Sequence, residues 1–120
     1  MPFAALTYAI RPGREDEVAE VFAGFRRIGS PSAPGTAPPA RLLSTAVFLR
    51  DATLVRVIEY EGDLDAVARH MAAQPGVQEV ERRLKPYLNS PRDTDSIDGF
   101  VRAFRQSLLR CVTQIGVPHG

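Results

Sequence analysis

The sequence predicts an α+β fold, a ferredoxin-like split βαβ unit with an antiparallel sheet. Two observations point to it. Hydrophobic periodicity switches in the order strand, helix, strand, strand, helix, helix, and one more strand completes a doubled βαβ pattern. Two of the strands are also apolar on both sides. In 53–61, Leu54, Arg56, Ile58 and Tyr60 share one face, while Val55 and Val57 lie on the other. In 3–10, Phe3, Ala5 and Ala9 alternate with Ala4, Leu6 and Ile10. Helices of such a unit cover one face only, so the second face calls for another subunit. The expected assembly is a homodimer, a dimeric α+β barrel.

Each element has its own signal. Residues 3–10, "FAALTYAI", are rich in β-formers and stop at Arg11-Pro12-Gly13. Over 14–28 the period becomes helical, with Val18, Val21, Phe22, Phe25 and Ile28 inward. Glu15, Asp16 and Glu17 open that helix, Arg26 and Arg27 sit in its last turn, and Gly29 can cap it. Residues 29–40, "GSPSAPGTAPPA", carry four prolines among small residues and are expected to form a surface loop within a single domain spanning 1–120. "LLSTAVFLR" (42–50) and "TLVRVIEYE" (53–61) flank Asp51-Ala52 at hairpin spacing. Asp63 is an N-cap for a helix whose apolar face is Leu64, Val67, Ala68 and Met71. Pro75 disfavours helix at Gln74, so this helix should end there. Gly76 is expected to let the chain turn before Val77, Val80, Leu84 and Leu88 resume the stripe. A further helix starts near Ser96 with Val101, Phe104 and Leu108 inward. Periodicity leaves 108–115, "LLRCVTQI", as either more helix or a strand; the topology assigns it to the fourth strand.

Composition narrows the function. The 120 residues are 44% hydrophobic and 24% charged with a formal net charge of +1, without the clustered cations that nucleic acid demands. No apolar run approaches the roughly 20 residues of a membrane span. The N-terminal stretch lacks a signal-peptide layout, and a single cysteine, Cys111, suits a cytoplasmic setting. A lone cysteine in an apolar stretch is expected to pack rather than react. There is no G-x-G-x-x-G after a strand, no P-loop and no G-x-S-x-G elbow. His70 and His119 have no partner at ligand spacing, so neither metal nor cofactor is expected.

What remains is a few polar groups on apolar elements. Arg56, amid Leu54, Ile58 and Tyr60, needs a ligand or a carboxylate, such as one neighbouring Glu59 or Asp65, because an unpaired buried charge costs several kcal/mol. His70 falls about 110° from the centre of its helix stripe, at the border of core and solvent. It reads either as a satisfied surface residue or as a proton-transfer group at a pocket mouth. Arg26 has a similar flank position. Arg26, Arg56, Tyr60 and His70 can converge between sheet and helices, where Tyr8 and Met71 are further candidates for substrate contact. Such a pocket suits a flat aromatic ligand bearing oxygens.

The run "TAVFLRDATLVRVIEYEGDLDAVARHMAAQPGVQEVERRLKPYL", with "FRRIGSP", "PRDT" and "LLRCVTQ", resembles the SchA/CurD-like family of aromatic polyketide and spore-pigment pathways. More distantly, the spacing of Gln78, Glu79, Val80, Glu81, Arg82, Leu84, Tyr87 and Leu88 resembles the tetracenomycin-type polyketide cyclases, which are dimeric α+β barrels. Cofactor-independent quinone-forming monooxygenases share that architecture. The chain has no tryptophan, so the pocket tryptophan of some of those monooxygenases has no counterpart. The resemblance implies an aromatic polyketide as small-molecule partner and components of the synthase as candidate protein partners. The implied reaction is cofactor-independent hydroxylation of a polycyclic phenol, with His70 as base, Arg56 and Arg26 on the phenolate and Tyr60 orienting the ring. Aldol cyclisation of a poly-β-ketone and a non-catalytic accessory role are the alternatives.

Overall fold

The computed structural model describes residues 2–23, 40–89 and 93–116. Arg26, Arg27, Phe25, Ile28, Gly29, His119 and the proline-rich stretch, except for its buried last residue Ala40, lie outside the described residues. The elements are β1 (Phe3–Ala9), α1 (Glu15–Ala23), β2 (Arg41–Arg50), β3 (Thr53–Glu61), α2 (Leu64–Ala73), α3 (Pro75–Leu84), a 3-10 turn (Lys85–Tyr87) and α4 (Ile97–Ser107).

β3 lies between β1 and β2 and is antiparallel to both. β1 and β2 are therefore parallel to each other with β3 inserted, which is the split βαβ arrangement. The β2–β3 hairpin turns on Asp51 and Ala52, and Asp51 takes φ 52°. A two-residue hairpin demands this left-handed conformation to match strand twist, and aspartate tolerates it. Along β1, Ala4, Leu6, Tyr8 and Ile10 are buried; along β3, Leu54, Arg56 and Ile58 are. That face carries the helices. The opposite face leaves Phe3 and Phe48 exposed.

Residues 108–115 only partly behave as a fourth strand. Leu108 bridges Leu6, and the Leu109 amide donates to the Ala5 carbonyl at 2.8 Å, but no ladder follows. Leu109, Val112 and Ile115 point into solvent, so little holds the segment against β1 beyond the Phe3 amide donating to Gln114 Oε1. Cys111 on this segment is exposed, correcting its expected place in the core.

The broken helix ends as Pro75 dictates, but Gly76 is not the joint. Gln74 alone is extended, at φ −81° and ψ 128°, and α3 begins at Pro75 itself. Proline suits this first helical position because the amide it lacks would have had no partner there. At the other helix starts, Asp63 Oδ2 accepts from the Ala66 amide and Ser96 Oγ from the Gly99 amide.

α2 packs against α4, and two ion pairs cross between them: Arg105 with Asp65 and Arg69 with Asp98. Asp65 is thus engaged by Arg105 and is not the Arg56 partner anticipated from the sequence. The Asp65 carboxyl is held below the ordinary carboxylate range, chiefly by the Arg105 hydrogen bond. A depressed folded value stabilises the protein above the unfolded value of about 3.9, and that contribution is lost as pH falls through the folded value. Both side chains are about half exposed, which limits the pair to below about 1 kcal/mol. Asp65→Asn should therefore lower urea-unfolding stability by at most about 1 kcal/mol at neutral pH, with the gap closing in acid. An equal gap at both pH values would show that the pair is not its source.

Candidate functional site

The described interior holds three buried polar or charged residues, Arg56, His70 and Glu81, at 1%, 7% and 2% exposure. Arg56 sits mid-way along β3, opposite Leu6 on β1 and Val47 on β2. Strand alternation puts it on the helix-covered face together with Tyr60, four residues on and half-buried. Tyr8, paired with Leu54, is its diagonal neighbour on β1. The Tyr8 hydroxyl donates to Glu81 Oε2 at 3.5 Å.

Glu81 is the residue that sequence reasoning missed. α3 delivers it because positions 77, 80, 81 and 84 form one stripe at helical spacing, and all four are buried. A carboxylate interrupting an apolar stripe was the available signal. Burying it is costly unless polar partners compensate, and Tyr8 is one.

His70 is not a flank residue: it is buried on α2, with Met71 beside it at 0% exposure. Its Nε2 lies 3.5 Å from Gln74 Nε2, so in the neutral tautomer with an unprotonated Nε2 the ring accepts from the Gln74 amide. The histidine one turn before the break is thus tied to the residue that makes the break. Of the residues singled out in the sequence, the structure brings Arg56, Tyr60 and Tyr8 to one sheet face. His70 and Met71 belong to α2.

A cavity of about 380 Å³ opens at the outer edge of β1, between Thr7–Ala9, Leu88 and α4. Asp93, Gly99, Arg102 and Gln106 line it, and Tyr8 is the one sequence-selected residue that does so. Gly99 lies within the first turn of α4, where glycine costs about 1 kcal/mol relative to alanine. A Cβ there would stand 2.6 Å from the Asp93 carboxyl. The glycine leaves room for that carboxyl against the helix.

The profile of the SchA/CurD like domain matches residues 1–117. The chain belongs to this family. It is 42% identical over 111 residues to polyketide synthase CurD of Streptomyces cyaneus, covering 92% of this chain and 29% of that protein. It is 37% identical over 114 residues to a 42.8 kDa protein in the whiE locus of Streptomyces coelicolor, covering 95% of this chain and 28% of that protein. Protein SchA of Streptomyces halstedii matches at 37% over 89 residues, covering 74% and 22% of the two chains. The chain thus spans less than a third of the length of these curated relatives. Among solved structures, tetracenomycin F2 cyclase of Streptomyces glaucescens, a type-II polyketide cyclase, superposes with TM-score 0.57 at 19% identity, covering 98% of this chain and all of that one. At that identity the likeness concerns the fold.

Tyr8→Phe removes the hydroxyl donor from Glu81 while keeping the ring. It should lower unfolding free energy by about 1 kcal/mol, the net contribution of a typical intramolecular hydrogen bond. Chemical denaturation with an unchanged midpoint would show that the 3.5 Å contact carries no stabilisation.

Proposed function

We propose that this chain tailors an aromatic polyketide by cofactor-independent oxygenation of a polycyclic phenol. The observation that carries the reading is a set of buried polar groups, Arg56, Glu81 and His70, inside a domain whose relatives include a polyketide synthase. An electron-rich phenol or enol, once ionised, donates electrons to oxygen itself. The protein then has to remove a proton, stabilise the anion and exclude water. Written in full, a ring CH2 and O2 give a ring C=O and H2O. The substrate supplies the four electrons, one oxygen atom enters the product, and the other leaves as water. In this scheme His70 is the base, Arg56 and Arg26 stabilise the phenolate, and Tyr60, Tyr8 and Met71 position the ring.

Aldol cyclisation is the second reading, supported by the fold shared with a polyketide cyclase. It uses the same parts, because enolisation beside a carbonyl also needs a base and an oxyanion partner. Oxygen uptake separates the two. An anthrone-type substrate should consume one O2 per product if the chain is an oxygenase, whereas a cyclase makes product without uptake. Binding without turnover marks an accessory role beside synthase components. His70→Gln, which keeps bulk and a polar end, should lower turnover by about 10²-fold or more with the fold retained. Full activity in that variant would reduce His70 to a packing residue.

The working form in this reading is a cytoplasmic homodimer. Among the described residues no helix is long and apolar enough to cross a membrane. The uncovered sheet face presents Phe3 and Phe48 at 45% and 60% exposure beside half-buried Val55 and Val57. A second copy packed sheet to sheet buries them. Light scattering at micromolar concentration should report a dimer, and Phe48→Glu should shift it towards monomer. A monomeric wild type rules out the barrel.

A further inference from the structure

We propose that the cavity at the outer edge of β1 is a ligand site for a flat apolar frame carrying a hydroxyl donor and an anionic or carbonyl oxygen. The fold itself creates the opening. Leu108 bridges Leu6 and Leu88 bridges Ile10, so two segments hold the edge at points about 13 Å apart along the strand. No ladder joins them, and α4 stands across the gap. The volume, about 380 Å³, falls within the range of small-ligand pockets.

The walls carry both signs of charge. Arg102 lies three residues beyond Gly99 and Gln106 four beyond Arg102, so all three share a face of α4 that lines the cavity. Among the described residues neither Arg102 nor Asp93 is in an ion pair, although charges nearby are: Lys85 with Asp95, Arg69 with Asp98 and Arg105 with Asp65. The Asp95 amide donates to Asp93 Oδ1 at 3.4 Å, and the missing Cβ at Gly99 leaves room for the Asp93 carboxyl. The Asp93 carboxylate accepts from a ligand hydroxyl, and the Arg102 guanidinium donates to a carboxylate or ketone, in two parallel bonds where the ligand offers two oxygens. Leu88, Ala9 and Ala103 supply apolar wall. That the frame is aromatic rests on the polyketide reading; the placement of charge does not.

The test titrates the full chain with 6-hydroxy-2-naphthoate, 2-naphthoate and 2-naphthol, followed by amide chemical shifts and calorimetry. The first compound should saturate with Kd below about 1 mM and shift amides of Thr7–Ala9 and 99–107. Arg102→Gln should weaken both carboxylates about tenfold and leave 2-naphthol unchanged. Asp93→Asn should weaken the hydroxylated compounds and spare 2-naphthoate. Gly99→Ala, which favours the helix and pushes the flexible Asp93 side chain aside, should keep the fold and copy the Asp93→Asn pattern. Absence of saturation by millimolar ligand, shifts elsewhere, or variants with wild-type affinity would each overturn the site. Turnover is read separately. Saturable binding here with neither oxygen uptake nor cyclised product sinks the enzymatic reading and leaves this site standing, while turnover with no binding at these amides does the reverse.

Discussion

The register of β3 against its two neighbours is the constraint on which the rest of the molecule depends. Side chains alternate faces with period two, so a slip of one residue sends every inward group outward. The hairpin at Asp51 and Ala52 sets one side of the register, pairing Leu49 with Leu54 and Val47 with Arg56. β1 sets the other, pairing Leu6 with Arg56 and Tyr8 with Leu54. Only in this register do Leu54 and Ile58 join the core while Arg56 enters the interior and Tyr8 comes within reach of Glu81. A slip would bury Val55 and Val57 instead and turn the one mid-strand arginine to solvent. The apolar content of the face would survive, and its polar chemistry would not.

The same alternation explains why the strands and the hairpin were legible in the sequence. Period two, turn residues and N-caps act over a few neighbours, and Asp63, Ser96 and Asp51 all do locally what their side chains favour. The failures are tertiary. The angular position of His70 treats α2 as a helix with one covered side, yet α2 packs against α4, α3 and β3. With cover from several directions, a residue about 110° from the stripe centre is buried. Cys111 departs in the opposite sense: an apolar stretch suggests core, but from Leu109 to Gly116 every residue is exposed. Gly76 suggests a hinge because glycine permits turning, whereas proline at a helix start makes turning at Gln74 sufficient.

The candidate site was legible in its strand residues and not in its helix residues. An arginine among Leu54, Ile58 and Tyr60 declares itself, because nothing but a partner or a ligand reconciles a guanidinium with that face. The identity of the partner does not, since it depends on which helix lies above. Asp65 is one acid that the sequence offers, but α4 brings Arg105 to it. Glu81 lies at the far end of the next helix, and the folding back of α3 places it against Tyr8.

That folding back also explains why the helix is broken at all. A continuous helix from Leu64 to Leu84 would run roughly 31 Å, whereas β1 spans roughly 23 Å. A straight element would overshoot β1 and carry Leu88 away from its edge. Division at Gln74 gives two helices of ten residues each, with α3 packing on α1 as well as on α2. The 3-10 turn then returns the chain to β1, where the Arg11 amide donates to the Tyr87 carbonyl at 2.8 Å and the Asn89 amide to the Ala9 carbonyl at 2.9 Å. The break buries Val77, Val80 and Leu84, brings Glu81 to Tyr8 and seats Leu88 at one end of the β1 edge. Gln74, the residue that makes the break, is also the one beside His70. Returning the chain to β1 and packing α3 on α1 are therefore reason enough for the break. The polar groups are placed by the same geometric solution, and no separate requirement for a pocket has to be added to account for it.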